Sequence, residues 1–294
     1  MANLKEIQRK IKSVSNTKKT TRAMKLVSTA KLRKAEELAR RSRVYANKLS
    51  EVLSEITEDI QRYKIGGIES RYFHPVAEPQ TVDIVFVTAD KGLCAGFNMA
   101  TIKEVSRLLR EFKEKKVKVR LRGIGKKGVE YFKYNGVDLA DAVTDLSNKP
   151  DYERSTAFIN ESINDYIAGN SDQVIIVHNG YKNMITQEMH VDTILPIMFE
   201  TDAKEYDGSL LEFEAYDEEK MLEALVAKYV EYSMYYALID SLAAEHSARM
   251  QAMDSATNNA TEMVKALNIE FNKARQEAIT TELIEIISGV ESLK

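Results

Sequence analysis

Gly123-Ile-Gly125-Lys-Lys-Gly128 carries the spacing of a dinucleotide-binding turn. In that pattern glycine lets backbone approach a pyrophosphate at a helix amino terminus. The stretch follows an apolar run and precedes a helical one, as the pattern requires. Yet it follows the second strand of its segment rather than the first, and no acidic residue ends the next strand to hold a ribose. Asp141 and Asp145 fall in a stretch read as loop. No G-x-x-x-x-G-K-[ST] phosphate loop occurs. Cys94, between Gly92 and Gly96, has the position of a nucleophile, but a thiolate needs a base. None of His74, His178, His190 and His246 is tied to it by sequence context. It reads as a small buried residue in a strand-to-helix turn. Four scattered histidines and one cysteine also argue against a transition-metal site. Tyr229, Tyr232, Tyr235 and Tyr236 could stack on bases, but at helical spacing they read as packing, as do His246, Met250 and Met253. No catalytic residue, cofactor ligand or metal ligand is expected.

The segment holding these groups alternates strands and helices. Strands are expected at 82–88, 117–122, 172–178 and 186–195, and helices at 99–115, 126–134 and 155–167. The alternation implies a small α/β domain with a mostly parallel sheet. All four prolines and ten of the twelve glycines lie within 66–207. On either side the chain changes character. Residues 1–65 contain no glycine or proline, and small or apolar residues recur at spacings of three and four: Leu4, Ile7, Ile11, Val14, Lys18, Thr21, Lys25, Ser28, Leu32, Ala35, Ala39, Ser42, Ala46, Leu49, Leu53. A second such seam runs from Leu222 through Tyr236, Ala243, Met253 and Ala260 to Thr281. Each is a heptad pattern held in one register. Three segments follow: an amino-terminal helix, 1–65; an α/β domain, 66–207; and a carboxyl-terminal helix, 208–294, long enough to reach on the order of 100 Å.

Charge is distributed unevenly. Lys5 to Arg43 holds fourteen basic residues against three acids, whereas Glu205 to Glu223 holds eight acids and one base. So one-sided an excess predicts an acidic partner or a polyanion. A single cysteine excludes a disulfide framework. The start MANLKEIQRK lacks a signal peptide's apolar core, and no apolar run is long enough to span a bilayer, so membrane association would go through a partner.

The quality of the seam narrows the function. Lys18, Thr21, Lys25 and Ser28 are polar, and Ala35, Ala39, Ser42 and Ala46 small, where an adhesive coiled coil would be apolar. At the far end Ile279, Leu283, Ile284, Ile286, Ile287 and Val290 spread apolar surface around most of the helix. Such a helix must be enclosed, and no helix of this chain is left to enclose it.

Three separated stretches resemble the gamma subunits of rotary F-type ATP synthases: Ile7 to Ala35, Thr88-Ala-Asp-Lys-Gly-Leu-Cys-Ala-Gly-Phe-Asn98, and Glu245 to Ala260 with Phe271 to Leu283. The resemblance implies an α/β fold class in which the terminal helices form a long antiparallel coiled coil and carry an inserted Rossmann-like α/β domain. It implies a central rotor stalk, non-catalytic, present in one copy and coupling proton flow to ATP synthesis. Its partners would be the alpha and beta subunits of the catalytic ring, an epsilon subunit and the membrane ring of c subunits. It would lie at the cytoplasmic face of the inner membrane as a peripheral component, without a cofactor. Arg22, Met24, Lys25, Arg249, Gln276 and Thr280 match positions contacting the beta subunits. Ile279, Leu283, Ile286 and Ile287 match the bearing at the top of the ring, and Phe213 and Glu214 the foot near the c ring. Thr20, Ala95 and Glu277 depart from the pattern, where an aliphatic, a glycine and a small residue are usual. Two other classes remain open: a dinucleotide-dependent enzyme, from Gly123 to Gly128, and a basic coiled-coil nucleic-acid binder, from the charge excess. A seam running straight through the basic stretch counts against the latter.

Overall fold

The computed structural model describes residues 4–63, 71–73, 76–197 and 218–291. The expected boundaries near Gly66 and Gly208, and the residues His74, Phe213 and Glu214, lie outside them. Two helices dominate, α1 (Leu4–Tyr63) and α5 (Glu218–Glu291). The chain divides into two compact units, one of residues 30–248 and one of residues 1–29 with 249–294.

The larger unit is built on a five-stranded sheet of β1 (Thr81–Val87), β2 (Lys118–Ile124), β3 (Leu139–Val143), β4 (Gln173–Tyr181) and β5 (Gln187–Leu195). Strand order is β3-β2-β1-β4-β5. The first four strands run parallel and β5 antiparallel to β4. β1 is apolar at nearly every position because both of its faces are covered. On one face α2 (Phe97–Glu114) and α3 (Lys126–Tyr134) bury Ile102, Val105, Leu108 and Phe132 against Ile84 and Phe86. On the other, α4 (Tyr152–Ile167) and α5 bury Phe158, Ile159, Val226, Val230 and Met234 against Val85, Val87 and Ile176. Asp151 caps α4, its carboxylate accepting from the Arg154 N–H at 2.9 Å.

β3 corrects the expectation of a loop around Asp141. Leu139-Ala-Asp-Ala-Val143 lacks the alternation or β-branched run that marks a strand, and as an edge strand it is only partly buried. Pairing with β2 makes it a strand.

Within this unit α1 and α5 run antiparallel. Arg43 Nε donates to Tyr236 Oη at 2.9 Å, and Tyr232 Oη to the Ser42 carbonyl at 3.3 Å. Leu32, Ala35, Ala39 and Ser42 are buried, as are Ile239, Ala243 and His246. The tyrosines pack, as expected. Tyr232 lies against Tyr45 with ring centroids 4.4 Å apart, and Tyr235 meets Tyr152 edge-on at 5.5 Å.

The smaller unit pairs the start of α1 with the end of α5, again antiparallel. Thr21 and Thr257 share a hydroxyl hydrogen bond of 2.8 Å, and Lys25 Nζ meets Asp254 Oδ1 at 2.6 Å. Two of the polar seam positions, Thr21 and Lys25, are thus satisfied across the helix pair. Ile7, Thr21, Met253 and Ala260 are buried, with Val14, Lys18, Val264, Leu267 and Phe271 half-buried. From Arg275 to Val290 every residue is exposed.

Candidate partner interface

In doubly wound sheets, ligands bind beyond the carboxyl ends of the strands where the strand order reverses. Here that point lies between β1 and β4, and a helix of the same chain fills it. Ala89, Cys94 and Phe97, after β1, pack on Ala244 and Ala248 of α5, with Tyr181 at the end of β4 against them. Ser247 Oγ donates to the Met184 carbonyl at 2.9 Å and accepts from Gln187 Nε2 at 3.3 Å. The alanines allow the close approach. Cys94 is buried, accepting from Asn98 Nδ2 at 3.3 Å, while Asn98 Oδ1 accepts from the Ala89 N–H at 2.8 Å. The thiol is packing, as its sequence context suggested.

The G-x-G-x-x-G turn is occupied in the same sense. A Cβ at Gly123 would lie 2.5 Å from the Phe86 ring, at Gly125 1.8 Å from the Thr88 carbonyl oxygen, and at Gly128 2.5 Å from Phe86. Gly125 also has φ +98°, outside the range of L side chains. The first N–H groups of α3, which would have to hold a pyrophosphate, are already spent on this chain. Lys126 donates to Asp90 Oδ1 at 2.9 Å, Lys127 to the Ala89 carbonyl at 3.1 Å and Gly128 to Thr88 Oγ1 at 3.0 Å. The glycines serve strand-to-helix packing, and the dinucleotide reading falls.

The smaller unit presents an exposed apolar surface. Ile279, Leu283, Ile284, Ile286, Ile287 and Val290 are each more than half exposed. At 100° per residue they form one broad stripe rather than the full circumference, with Glu282, Glu285 and Ser288 opposite. That corrects the expectation of a tip apolar on most sides. Arg22, Gln276 and Thr280 are exposed, the Thr280 hydroxyl donating to the Gln276 carbonyl at 2.9 Å. Met24 and Lys25 are half-buried, and Lys25 is engaged by Asp254. Arg249 is buried, 8% exposed. Sequence reading passed over Leu26 and Val27, both well exposed beside Arg22 and Lys25. They lie off the heptad seam, and an apolar pair off the seam in a basic stretch is the signal that could have found them.

A family model described as ATP synthase matches residues 3–293. Over the full length of both chains, the sequence is 67% identical to the ATP synthase gamma chain of Sulfurimonas denitrificans and 59% identical to that of Nitratiruptor sp.. The chain belongs to the ATP synthase gamma chain family. Among solved structures it resembles a chain of the Euglena gracilis mitochondrial ATP synthase, OSCP/F1/c-ring in rotational state 3. The TM-score is 0.66 at 18% identity, covering 99% of this chain and 94% of that one. A chain of the Tetrahymena thermophila mitochondrial ATP synthase central stalk and c ring gives 0.61 at 23% identity, covering 81% and 99%. These likenesses concern the fold.

One position in the turn after β1 carries backbone strain. Ala95 has φ +49°, in the left-handed region that L-residues other than asparagine and aspartate seldom adopt. Its side chain is exposed. An L-residue there costs roughly 1–2 kcal/mol, while glycine adds back about 0.5–1 kcal/mol of unfolded-state freedom. Ala95→Gly is therefore expected to raise the urea midpoint of the full chain by a net gain on the order of 0.5–1 kcal/mol. An unchanged or lower midpoint would mean the strain is relieved elsewhere. Thr20 and Glu277 are exposed on helix surfaces.

Proposed function

We propose that this chain is the central stalk of a membrane-associated, proton-translocating ATP synthase, catalysing nothing itself. The observation carrying this reading is the exposed end of α5, where six large aliphatic side chains lie without cover from residue 279 to 290. A patch of that kind marks an interaction site. Its partner would be the alpha and beta subunits of the catalytic ring, with Ile279, Leu283, Ile286 and Ile287 in the bearing. Arg22, Met24, Lys25, Gln276 and Thr280 would face the beta subunits. Arg249, being buried, would act by holding its helix rather than by reaching outward. An epsilon subunit and the c ring, the latter at Phe213 and Glu214, complete the partners, with one stalk per complex. No described helix is long and apolar enough to cross a membrane. Attachment at the cytoplasmic face of the inner membrane would therefore be peripheral.

An asymmetric helix pair turning within three beta subunits shifts each between nucleotide-binding states only through contacts that differ between those states. Solvated polar groups such as Arg22 and Gln276 suit a moving interface because they demand little geometric precision. Reconstitution with cognate alpha and beta subunits tests the reading. ATP should drive rotation of a probe on the chain, and failure to form a rotating complex sinks the proposal. Gln276→Ala with Thr280→Ala, both exposed, should leave chain stability within about 0.5 kcal/mol of the parent. The pair should lower ATP synthesis relative to hydrolysis. Equal coupling in the variant removes both residues from the interface.

A further inference from the structure

Two of the four histidines that look scattered in the sequence meet in the fold. His178 on β4 and His190 on β5 are direct cross-strand partners, their rings stacked with centroids 4.9 Å apart. Asp240 of α5 reaches the same point, with Oδ2 3.4 Å from His178 Nε2. One ligand atom from each of the three lies within 4.8 Å of the others. His178 and Asp240 are buried, 3% and 2% exposed, and His190 is half-buried.

The geometry points to a divalent transition-metal site of the zinc type, with His178, His190 and Asp240 as ligands and a fourth position open. Three observations carry it. The 3.4 Å between His178 Nε2 and Asp240 Oδ2 is long for a hydrogen bond. It is, however, about the separation of two ligands each ~2.0 Å from one tetrahedral ion. Next, His178 Nδ1 and Asp240 Oδ1 are buried with no hydrogen-bond partner, so no second hydrogen bond holds the imidazole or the carboxylate against turning Nε2 and Oδ2 toward an ion. Arg43 Nη2 stands 4.0 Å from Asp240 Oδ1, on the carboxylate's other oxygen, leaving Oδ2 to the histidines. Finally, Gly180 makes the space. A Cβ there would lie 2.3 Å from Asp240 Oδ2 and 2.8 Å from His190 Nε2. Two imidazoles and a carboxylate form a donor set for borderline cations rather than for Mg²⁺ or Ca²⁺, which take oxygen ligands. Bound there, the ion would staple the β4–β5 hairpin to α5.

The test uses the full-length, tag-free chain, stripped with chelator and dialysed. Titration with Zn²⁺, followed by calorimetry and metal analysis, should show one equivalent bound at micromolar affinity or tighter. Co²⁺ in its place should give the strong visible absorption of tetrahedral coordination. His190→Ala, at a half-buried edge position, and the isosteric Asp240→Asn should each weaken binding by more than about 100-fold. The expectation follows because even groups outside the ligand shell cost roughly 10- to 100-fold. Circular dichroism checks that each variant is folded. Zn²⁺ should raise the melting midpoint of the parent and leave that of His190→Ala unmoved. Absence of saturable binding, or equal binding by parent and both folded variants, overturns the proposal.

Discussion

Leu283→Asp together with Ile287→Asp is expected to leave the chain folded and to abolish its assembly with a catalytic ring. Both side chains are more than half exposed, 54% and 64%, so the fold loses almost no burial when they change. Exposed substitutions of this kind stay within about 0.5 kcal/mol. Enclosed by a partner, each aliphatic side chain contributes roughly 1.5–3 kcal/mol, and an unpaired carboxylate in its place adds a desolvation cost. The loss is at least about 4 kcal/mol, or on the order of a thousandfold in association. Size-exclusion chromatography of the variant with purified alpha and beta subunits reads the effect, beside an unchanged melting curve of the chain alone. Assembly at the parental level would show that no partner encloses the stripe.

Arg122→Met carries the largest expected effect on stability. Arg122 is 3% exposed on β2 and bridges three acids. Its Nε lies 3.3 Å from Asp83 Oδ2, its Nη1 2.6 Å from Glu161 and its Nη2 2.9 Å from Asp165. Asp83 is fully buried, and its other cation, Arg120, is already hydrogen-bonded to Asp165. Breaking a buried pair by removing one partner costs about 3–5 kcal/mol, because the remaining charge is left uncompensated. Urea unfolding of the full chain should show a loss of that order. Replacing Asp83 by Leu as well should recover much of it, since an apolar pair in place of a buried ionic one is often near neutral.

The pH dependence has a definite sign. Burial pushes the Asp83 carboxyl up, with Arg120 and Arg122 opposing. Removing Arg122 takes away part of that opposition and raises it further. A raised carboxylate destabilises the fold where it is charged and ceases to do so as pH falls through its folded value. The gap between parent and Arg122→Met should therefore narrow on acidification. Asp165 runs the other way. Its hydrogen bond from Arg120 holds it below the usual carboxylate range, so its contribution is lost only as pH falls through that depressed value.

The two long helices were legible from residue spacing alone, and so was the register of the seam in α1; the α5 seam, expected to run to Thr281, is buried or half-buried only as far as Ala274. In α1 each seam position from Leu4 to Leu53 is buried or half-buried. A heptad pattern is local information, set by which side chains share one face of a helix, and it survives whatever the rest of the chain does. The apolar end of α5 was legible too, because apolar residues with no intramolecular partner leave a visible surplus. Its true form, a broad stripe facing Glu282 and Glu285, needed only the helical angle.

The tertiary structure decided what the α/β domain does with its ligand-binding geometry. Its glycine-rich turn has a nucleotide-binding sequence and a packing role, because Phe86 and Thr88, some forty residues earlier, occupy the space and take the donors. Its switch-point crevice is closed by Ala244 and Ala248, more than 140 residues beyond β1. β3 became a strand only by pairing with β2, and His178 met His190 and Asp240 only through antiparallel register and helix docking. Spacing along a chain specifies which face a residue takes on its own element. Which elements meet depends on the burial of whole faces across long separations, and there the fate of these residues was set.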